Sequence, residues 1–342
     1  MVNIPIQNIY FLLCYAWDKL DEREVADVDP IDSTSLADLF ARVLINGTNH
    51  LLKRGFDRGY VAQEEWTGRL RGRICFQEAI RTNATRTGRL PCAFDELSYD
   101  VLHNQILKAT MRRLIRAQDL ASENSEGLAQ LCRMFSDIRD IELTNRVFGQ
   151  VQLYRNNQFY DFLLKVCELI HRNLLVSEKS GSSKFMDFVR DKRQMAILFE
   201  NFVRTFYRVH ADYTVKREDI YWRWIAAGQV AADLLPKMQT DISLASASRK
   251  IIIDCKFTPE ATQHHYESVT LRSSHLFQIN AYLTNLPAGK LTDTCEMMLL
   301  YPMMDSPFTH DFMDGQHKIS IRTINLDQPW QGIHKDLLAL VA

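Results

Sequence analysis

Apolar positions recur first at helical and then at strand spacing, and the change of period divides the chain. Residues 8–20 (NIYFLLCYAWDKL) are apolar nearly all round, the pattern of a buried helix or of a helix at a subunit contact. Thr34 or Ser35 can cap a following helix in which Leu36, Leu39, Phe40, Val43, Leu44 and Leu51 recur at steps of three and four, ending near Gly55. Over residues 59–80, Tyr60, Val61, Trp66, Leu70, Ile74 and Phe76 are separated by polar residues and by Gly68 and Gly72, which predicts a small element of twisted strands and tight turns. Helical spacing returns from Ser98 to about Leu120, at 126–138 and at 159–175.

The segment SEKSGSSK (177–184) has the composition of an exposed connection. Beyond it, Met195, Leu198, Phe199, Phe202, Val203, Phe206 and Tyr207 form the most regular apolar stripe in the chain. Strands are expected at 213–216, 220–225, 238–245, 249–257, 296–302 and 317–325, interrupted by one helix at about 272–286. The expectation is therefore an α+β domain over residues 1–178 and an α/β domain over 179–342.

Composition narrows the class. With 46% hydrophobic and 24% charged residues the chain reads as globular, and its net charge of −1 means that a nucleic-acid surface has to be a local feature. From Lys53 to Arg89, nine basic residues stand against four acidic ones; such a run is equally what a solvated face provides. Seven cysteines without a CxxC pair argue against a disulfide framework and a structural zinc site, and point to reduced thiols. The N-terminus has no basic segment, and its apolar stretch is broken by Gln7, Asn8 and Asp18, so neither a signal peptide nor a membrane span is expected and a cytoplasmic location is.

Candidate chemistry concentrates between Leu234 and Phe257. Two β-type runs flank a small-residue turn, and a turn centred between Ala247 and Ser248 sets Asp241 opposite Asp254. Lys256 then points to the same face, because strand side chains alternate, whereas Ile251, Ile253 and Cys255 point to the other. With Ile252 continuing the apolar run, this strand is expected to be buried on both sides except at its C-terminal end. Two facing carboxylates raise one another's pKa unless a cation separates them, and Mg²⁺, which takes oxygen ligands and keeps waters, suits the pair. A lysine beside such a metal can position or deprotonate a water and offset charge on a phosphodiester, so the chemistry is phosphodiester hydrolysis.

A D-x-K triplet alone is expected about once by chance in a chain of this length; the strand context and the facing Asp241 are what raise it. Glu200, at the flank of the apolar stripe, either adds a carboxylate to the metal site or is a solvated surface residue. Gln278 and Tyr282 are four apart on the predicted helix and can both donate to phosphate oxygens, or can simply pack. His275 shares their face and reads as a hydrogen-bonded helix-end residue.

Glu200 on a helix, Asp241 on one strand, Asp254 and Lys256 on the next and Gln278 with Tyr282 on a following helix together resemble the PD-(D/E)xK nucleases, particularly the RecB-like branch. Thr240 stands where that superfamily often has proline before the first aspartate. A more specific resemblance runs in order from about residue 4 to the C-terminus. It is carried by Ile4-Pro5-Ile6-Gln7-Asn8-Ile9-Tyr10 with Tyr15-Ala16-Trp17, by GRLRGRI (68–74), by Phe94-Asp95-Glu96-Leu97, by LLPKMQTDI (234–242) and by Asp254-Cys255-Lys256. In these segments the chain resembles the McrC family, the nuclease subunits of McrBC modification-dependent restriction systems.

The resemblance implies an α/β protein: an N-terminal α+β partner-docking domain followed by a PD-(D/E)xK, restriction-endonuclease-like domain with a mixed sheet flanked by helices. It implies an Mg²⁺-dependent endonuclease that cuts double-stranded DNA containing methylated cytosine, in complex with an McrB-like AAA+ GTPase hexamer that binds the GTP, reads the modified base and translocates DNA. The lack of a GxxxxGK[ST] loop in this chain agrees with nucleotide being bound elsewhere. By the same resemblance Asp241, Asp254, the Cys255 backbone carbonyl and Glu200 hold the metal, with Lys256, Gln278 and Tyr282 completing the catalytic set. The family's N-terminal part enters the partner ring and stimulates its GTPase, a contact assigned here to Arg69, Arg71 and Arg73. A double-strand cut needs two sites, so a nuclease-domain dimer is expected within the complex. Two other readings stand beside this one: a non-catalytic activator or scaffold of the ring, and a stand-alone RecB-like exonuclease.

Overall fold

The structure, a computed structural model, describes residues 3–20, 35–82, 86, 88–154, 157–176, 183–185, 189, 191–224, 233–258, 262–265, 268–287, 289, 291–292, 294–304 and 306–342. The chain divides into two compact units, one formed by residues 1–23 with 187–342 and the other by 24–186. The first helix, α1 (Ile6–Ala16), therefore belongs with the C-terminal part and not with the domain expected over 1–178. Its aromatic residues explain the assignment: the Tyr15 ring lies 5.6 Å from that of Phe202, and the Phe11 ring 4.9 Å from that of Trp330. The helix also ends before residue 20, because Asp18 takes a left-handed φ of 58° and Lys19 N–H donates back to Cys14 O at 2.8 Å. The expected connection at 177–184 lies mostly outside the described residues.

In the unit of residues 24–186, α2 (Leu36–Arg54) follows Ser35 and stops at Gly55, whose φ of 93° suits a residue without a side chain. The region of strand-like spacing resolves into β1 (Gly59–Thr67), β2 (Arg73–Ile74) and a short helix, α3 (Phe76–Arg81), where strand was expected to continue. A strand that the pattern did not predict, β3 (Leu90–Ser98), pairs along the whole of β1 and also holds β2. It escaped because its buried residues do not alternate, so no period of two marks it. Gly72, at φ 68°, enters β2 so close to β3 that an added Cβ would meet Ala93 O at 2.3 Å. The helices α4 (Leu102–Leu114), α5 (Ser122–Met134), α6 (Asn145–Phe148) and α7 (Gln158–Asn173) come next, then the strand pair β4 (Leu174–Val176) and β5 (Ser183–Phe185). Leu107, Met111, Leu163 and Ile170 are fully buried on α4 and α7, as their spacing predicts.

The other unit is built on α8 (Lys192–His210), capped by Asp191, whose Oδ1 accepts the N–H groups of Arg193 and Gln194 at 2.9 and 3.1 Å. Its strands are β6 (Thr214–Lys216), β7 (Asp219–Ile220), β8 (Met238–Gln239), β9 (Ile242–Ala245), β10 (Lys250–Cys255), β11 (Thr262–His265) and β12 (Ser268–Leu271). Helix α9 (Ser273–Asn285) leads to β13 (Glu296–Pro302), β14 (His310–Asp314) and β15 (His317–Ile324), and α10 (Trp330–Ala339) closes the chain. Six strands form one mixed sheet in the order β14-β15-β13-β10-β9-β6. Inside it β10 is antiparallel to β9 and parallel to β13, and α9 makes the crossover that the parallel pair requires. Ile279, Tyr282 and Leu283 of α9 pack with Ile252, Met297, Leu299 and Tyr301 in one core cluster, so helix spacing on α9 and burial on β10 and β13 meet there.

The sheet is thus mixed and flanked by helices, as expected, with three differences. The strand expected over 220–225 ends at Ile220, in β7, which pairs with β8 outside this sheet, and residues 221–224 are irregular. The run expected over 238–245 breaks at Thr240 and Asp241 into β8 and β9, which belong to different sheets. Strand β14 carries no buried residue, and so no apolar pattern announced it. Among the described residues no helix is long and apolar enough to cross a membrane.

Phe202 is fully buried and its ring neighbours Tyr15, Phe199, Phe206 and Trp330. Phe202→Ala is expected to remove about 3–5 kcal/mol of unfolding free energy, measured by urea denaturation. A loss below about 1 kcal/mol would show that this aromatic cluster does not hold α1 on α8.

Candidate active site

The site lies where the β9–β10 hairpin opens. Ser246 N–H donates to Arg249 O at 2.9 Å, so the turn falls at Ala247 and Ser248, and the ladder runs from Lys250↔Ala245 to Ile253↔Ile242. The next residues along the two strands are Asp241 and Asp254, in the register that the turn predicts. Asp241 lies just beyond the end of β9, and its Oδ2 accepts Cys255 N–H at 2.9 Å. Thr240 holds it there: its N–H donates to Glu218 O at 2.9 Å and its hydroxyl accepts Glu218 N–H at 2.9 Å. A proline in its place would lose the first of these bonds.

Asp254 does not escape burial at the strand end as expected; its side chain is only 1% exposed. Its strand is flanked on both sides, by β9 and by β13, and Lys256 N–H is taken by Leu300 O at 2.9 Å. The Lys256 ammonium stands 2.7 Å from Asp254 Oδ2 and donates to Gln278 Oε1 at 2.8 Å. Gln278 Nε2 donates to the Tyr282 hydroxyl at 2.8 Å, which donates to Gln239 O at 2.9 Å. These bonds return to the strand that leads into Thr240 and Asp241. Burial pushes the Tyr282 phenol up to about 12, so the hydroxyl keeps the proton that it donates.

Electrostatics make the carboxylate pair unusual. Burial, with the charges of Asp254 and Glu200 added, pushes the Asp241 carboxyl up to about 7 against the opposing Cys255 amide and Lys256. Asp254 is raised too, first by burial and further by Glu200, while Lys256 opposes. Its Oδ1 is buried without a hydrogen-bond partner. An unpartnered buried carboxylate oxygen beside a second raised carboxyl is a surplus of acceptors that one ammonium does not balance.

The fit to a hard divalent ion rests on these two carboxylates. Glu200 on α8 is near enough to raise both, but its Oε1 accepts from Arg204 Nη1 at 2.8 Å and lies 3.6 Å from Arg217 Nη2. Among the described residues no group of three or more His, Cys, Asp or Glu side chains is placed to hold a metal. Further ligands would then come from backbone or water, and the Cys255 carbonyl is adjacent in the chain. The Cys255 thiol is buried and raised well above its usual pKa, so it stays neutral and is a poor ligand.

His275 lies outside this chain of bonds. Its Nδ1 is 2.8 Å from the Tyr301 hydroxyl, and burial, with Lys256 and Arg272 nearby, pushes its pKa down to about 4, leaving it neutral. Arg69, Arg71 and Arg73 belong to the other unit, on β2 and the connection before it, and all three are exposed. The Arg71 guanidinium lies 4.0 Å from the Phe94 ring centre and pairs with Glu96 at 3.4 Å. Residues that sequence reasoning missed are Arg217 and Glu218, and the Gln239 carbonyl. Each reaches the site through a tertiary contact, and no linear spacing announces it.

The family model described as "McrBC 5-methylcytosine restriction system component" matches residues 9–302. The chain is 30% identical over 336 residues to the "Type IV methyl-directed restriction enzyme EcoKMcrBC" of Escherichia coli (strain K12), covering 98% of this chain and 96% of that protein. Its fold is similar to a chain of a solved half-complex of Thermococcus gammatolerans McrB AAA+ hexamers with bound McrC. The TM-score is 0.64 at 18% identity, over 99% of this chain and 76% of that one.

Because the Asp241 carboxyl is raised, the folded chain keeps this proton between the ordinary value of 3.8 and about 7 while the unfolded chain has released it. The folded state then binds more protons, and the stability contributed by this group falls as pH rises through that window. Asp241→Asn preserves an acceptor for the Cys255 amide and removes the titration. With a chelator present, the melting temperature of the variant relative to the parent is expected to rise from pH 4 to pH 7; a flat difference would contradict the raised value.

Proposed function

The chain belongs to the McrBC 5-methylcytosine restriction system component family, and from that premise we propose that it is the system's Mg²⁺-dependent endonuclease subunit, cutting DNA that contains methylated cytosine. One observation carries the reading: Asp241 and Asp254 meet at the mouth of a buried hairpin with Lys256 bonded to Asp254 and an acceptor left over.

In this reading the nuclease part is a PD-(D/E)xK domain, and Asp241, Asp254 and the Cys255 carbonyl hold the ion, with Glu200 acting on it through charge. Bound there, Mg²⁺ supplies activation of a water and neutralisation of charge on the phosphodiester. Lys256 brings a fixed positive charge to the place where negative charge develops in the reaction. Its ammonium is clamped between Asp254 and Gln278, so little reorganisation is needed when a phosphate arrives. Tyr282 acts one step back: it fixes Gln278, and through Gln239 O it ties α9 to the strand before Asp241.

The partner is an McrB-like AAA+ GTPase hexamer, which binds GTP and reads the modified base. Support comes from the similar solved chain, found with McrB AAA+ hexamers. The docking surface assigned to this chain is the three-stranded sheet of residues 59–98, where Arg69, Arg71 and Arg73 stand exposed beside Leu70, itself 73% exposed. Gly72 sets the path of that connection, because only a residue without a side chain fits under Ala93 O. Two copies of the nuclease part would supply the two cuts of a double-strand break.

Asp254→Ala is expected to reduce DNA cleavage by the assembled complex more than about 100-fold while GTPase stimulation persists. The double change Arg71→Ala with Arg73→Ala is expected to lower GTPase stimulation without altering the fold. Cleavage at the parent rate by Asp254→Ala would end the endonuclease reading in favour of an activator without catalysis.

A further inference from the structure

The two-stranded ribbon β7–β8 is continuous with the candidate active site. Thr240 and Glu218 bond each other in both directions at its base, and Gln239 O accepts from Tyr282. Two more bonds order the segment beyond it. Trp222 Nε1 donates to Pro236 O at 2.7 Å, and Arg223 N–H donates to Asn285 Oδ1 at 2.8 Å. Asn285 lies three residues after Tyr282, on the same side of α9. Residues 221–224 (Tyr-Trp-Arg-Trp) are thus held by the helix that carries Gln278 and Tyr282.

This segment exposes what folding normally buries. Tyr221 and Trp224 are each 66% exposed, and the Trp222 and Trp224 rings lie 4.7 Å apart at 42°. Leaving a large ring in water forgoes on the order of 1.5–3 kcal/mol of burial, and two such rings flank Arg223 within four residues. The charges beside them are unequal in availability. Asp219 is occupied by Lys237 at 2.9 Å and Gln239 at 2.8 Å, and Glu218 by Lys250 at 2.6 Å and Lys216 at 3.1 Å. The Arg223 guanidinium has no ion pair or hydrogen bond among the described residues. Arg217, at the foot of the ribbon, is 43% exposed and reaches towards Thr240 O at 3.4 Å.

We propose that Tyr221–Trp224 is a DNA contact of the nuclease unit, in which the aromatic faces lie against sugar and base edges and Arg223 pairs with a backbone phosphate. Stacking rings interleaved with an unpaired arginine are the chemistry of nucleic-acid surfaces. The anchor at Asn285 lies seven residues, roughly 10 Å, along α9 from the Gln278 that meets Lys256, so the strip would hold duplex that flanks a phosphodiester at Asp241, Asp254 and Lys256. The inference rests on the endonuclease reading, and the two can fail separately.

The test uses the chain assembled with its AAA+ partner, Mg²⁺ and methylated duplex DNA. Trp224→Ala is expected to raise the half-saturating DNA concentration for cleavage roughly 5- to 100-fold, the loss of one stacking contact, with a smaller change in kcat. Trp224→Phe should restore most of this loss, and Arg223→Ala, which removes no packed ring, should lower the salt slope of binding by about one. GTPase stimulation is read on the same samples; its loss in step with cleavage would reassign the strip to the protein partner and overturn the proposal. Unchanged DNA dependence in both Trp224→Ala and Arg223→Ala would overturn it as well. To separate the two readings, iodouracil-substituted DNA is photo-crosslinked to complexes carrying Asp254→Ala, and the adducts are mapped by mass spectrometry. Adducts on Tyr221 or Trp224 support the proposal. Adducts elsewhere on this chain, or on the partner alone, overturn it and leave the endonuclease reading standing, whereas active cleavage by Asp254→Ala removes both.

Discussion

Burial of two carboxylates at the open end of one hairpin is the constraint from which the rest of the C-terminal unit follows. Removing an ionised group from water costs on the order of several kcal/mol even after the protein relaxes. Asp254 is almost completely buried, and a single lysine offsets it. The raised carboxyl of Asp241 states the same imbalance from the other side of the ladder. A fold selected for stability alone would fill such a position with apolar side chains, as it does at Ile251, Ile252 and Ile253 in the same strand. The proposed endonuclease function gives these charges a use, because a cation and an anionic substrate would complete them.

The sheet topology makes this arrangement possible. Strand β10 is antiparallel to β9 and parallel to β13, so one neighbour returns through a tight turn and the other through α9. The turn fixes the register that brings Asp241 to Asp254. The crossover delivers Gln278 and Tyr282 to the C-terminal end of β10, the end of a parallel pair at which open α/β sheets build their sites. The hydrogen bonds from Lys256 through Gln278 and Tyr282 to Gln239 O then tie α9 to the strand that leads into Asp241. The side chains of Lys256, Gln278 and Tyr282 are each partnered in this run, whereas Asp254 Oδ1 has no hydrogen-bond partner.

The two units spend their exposed apolar and basic side chains differently. In residues 24–186 they gather on a small sheet and its connection, where Arg71 rests on Phe94. In the other unit they are more scattered, and Tyr221 and Trp224 flank Arg223 in the strip that is bonded to the end of α9. In the proposed function the first docks on the partner ring and the second holds DNA that flanks the acidic pair.

Much of this was legible in the linear pattern. The apolar stripe on α8, the hairpin register and the shared face of Asp254 and Lys256 follow from periods of 3.6 and 2, which are local properties of a polypeptide. Other features were not. The place of α1 in the C-terminal unit depends on aromatic packing between residues about as far apart as the chain allows, and an apolar helix carries no mark of which partner it will meet. Strands β3 and β14 lack alternation, because one buries adjacent residues and the other buries none. The sequence by itself thus determined which side chains share a face and which segments repeat an apolar period. Only the tertiary structure decided how deeply Asp254 is buried, that arginines engage Glu200, and that Thr240 and Tyr282 tie the site together, because burial and charge depend on what the distant parts of the chain place alongside.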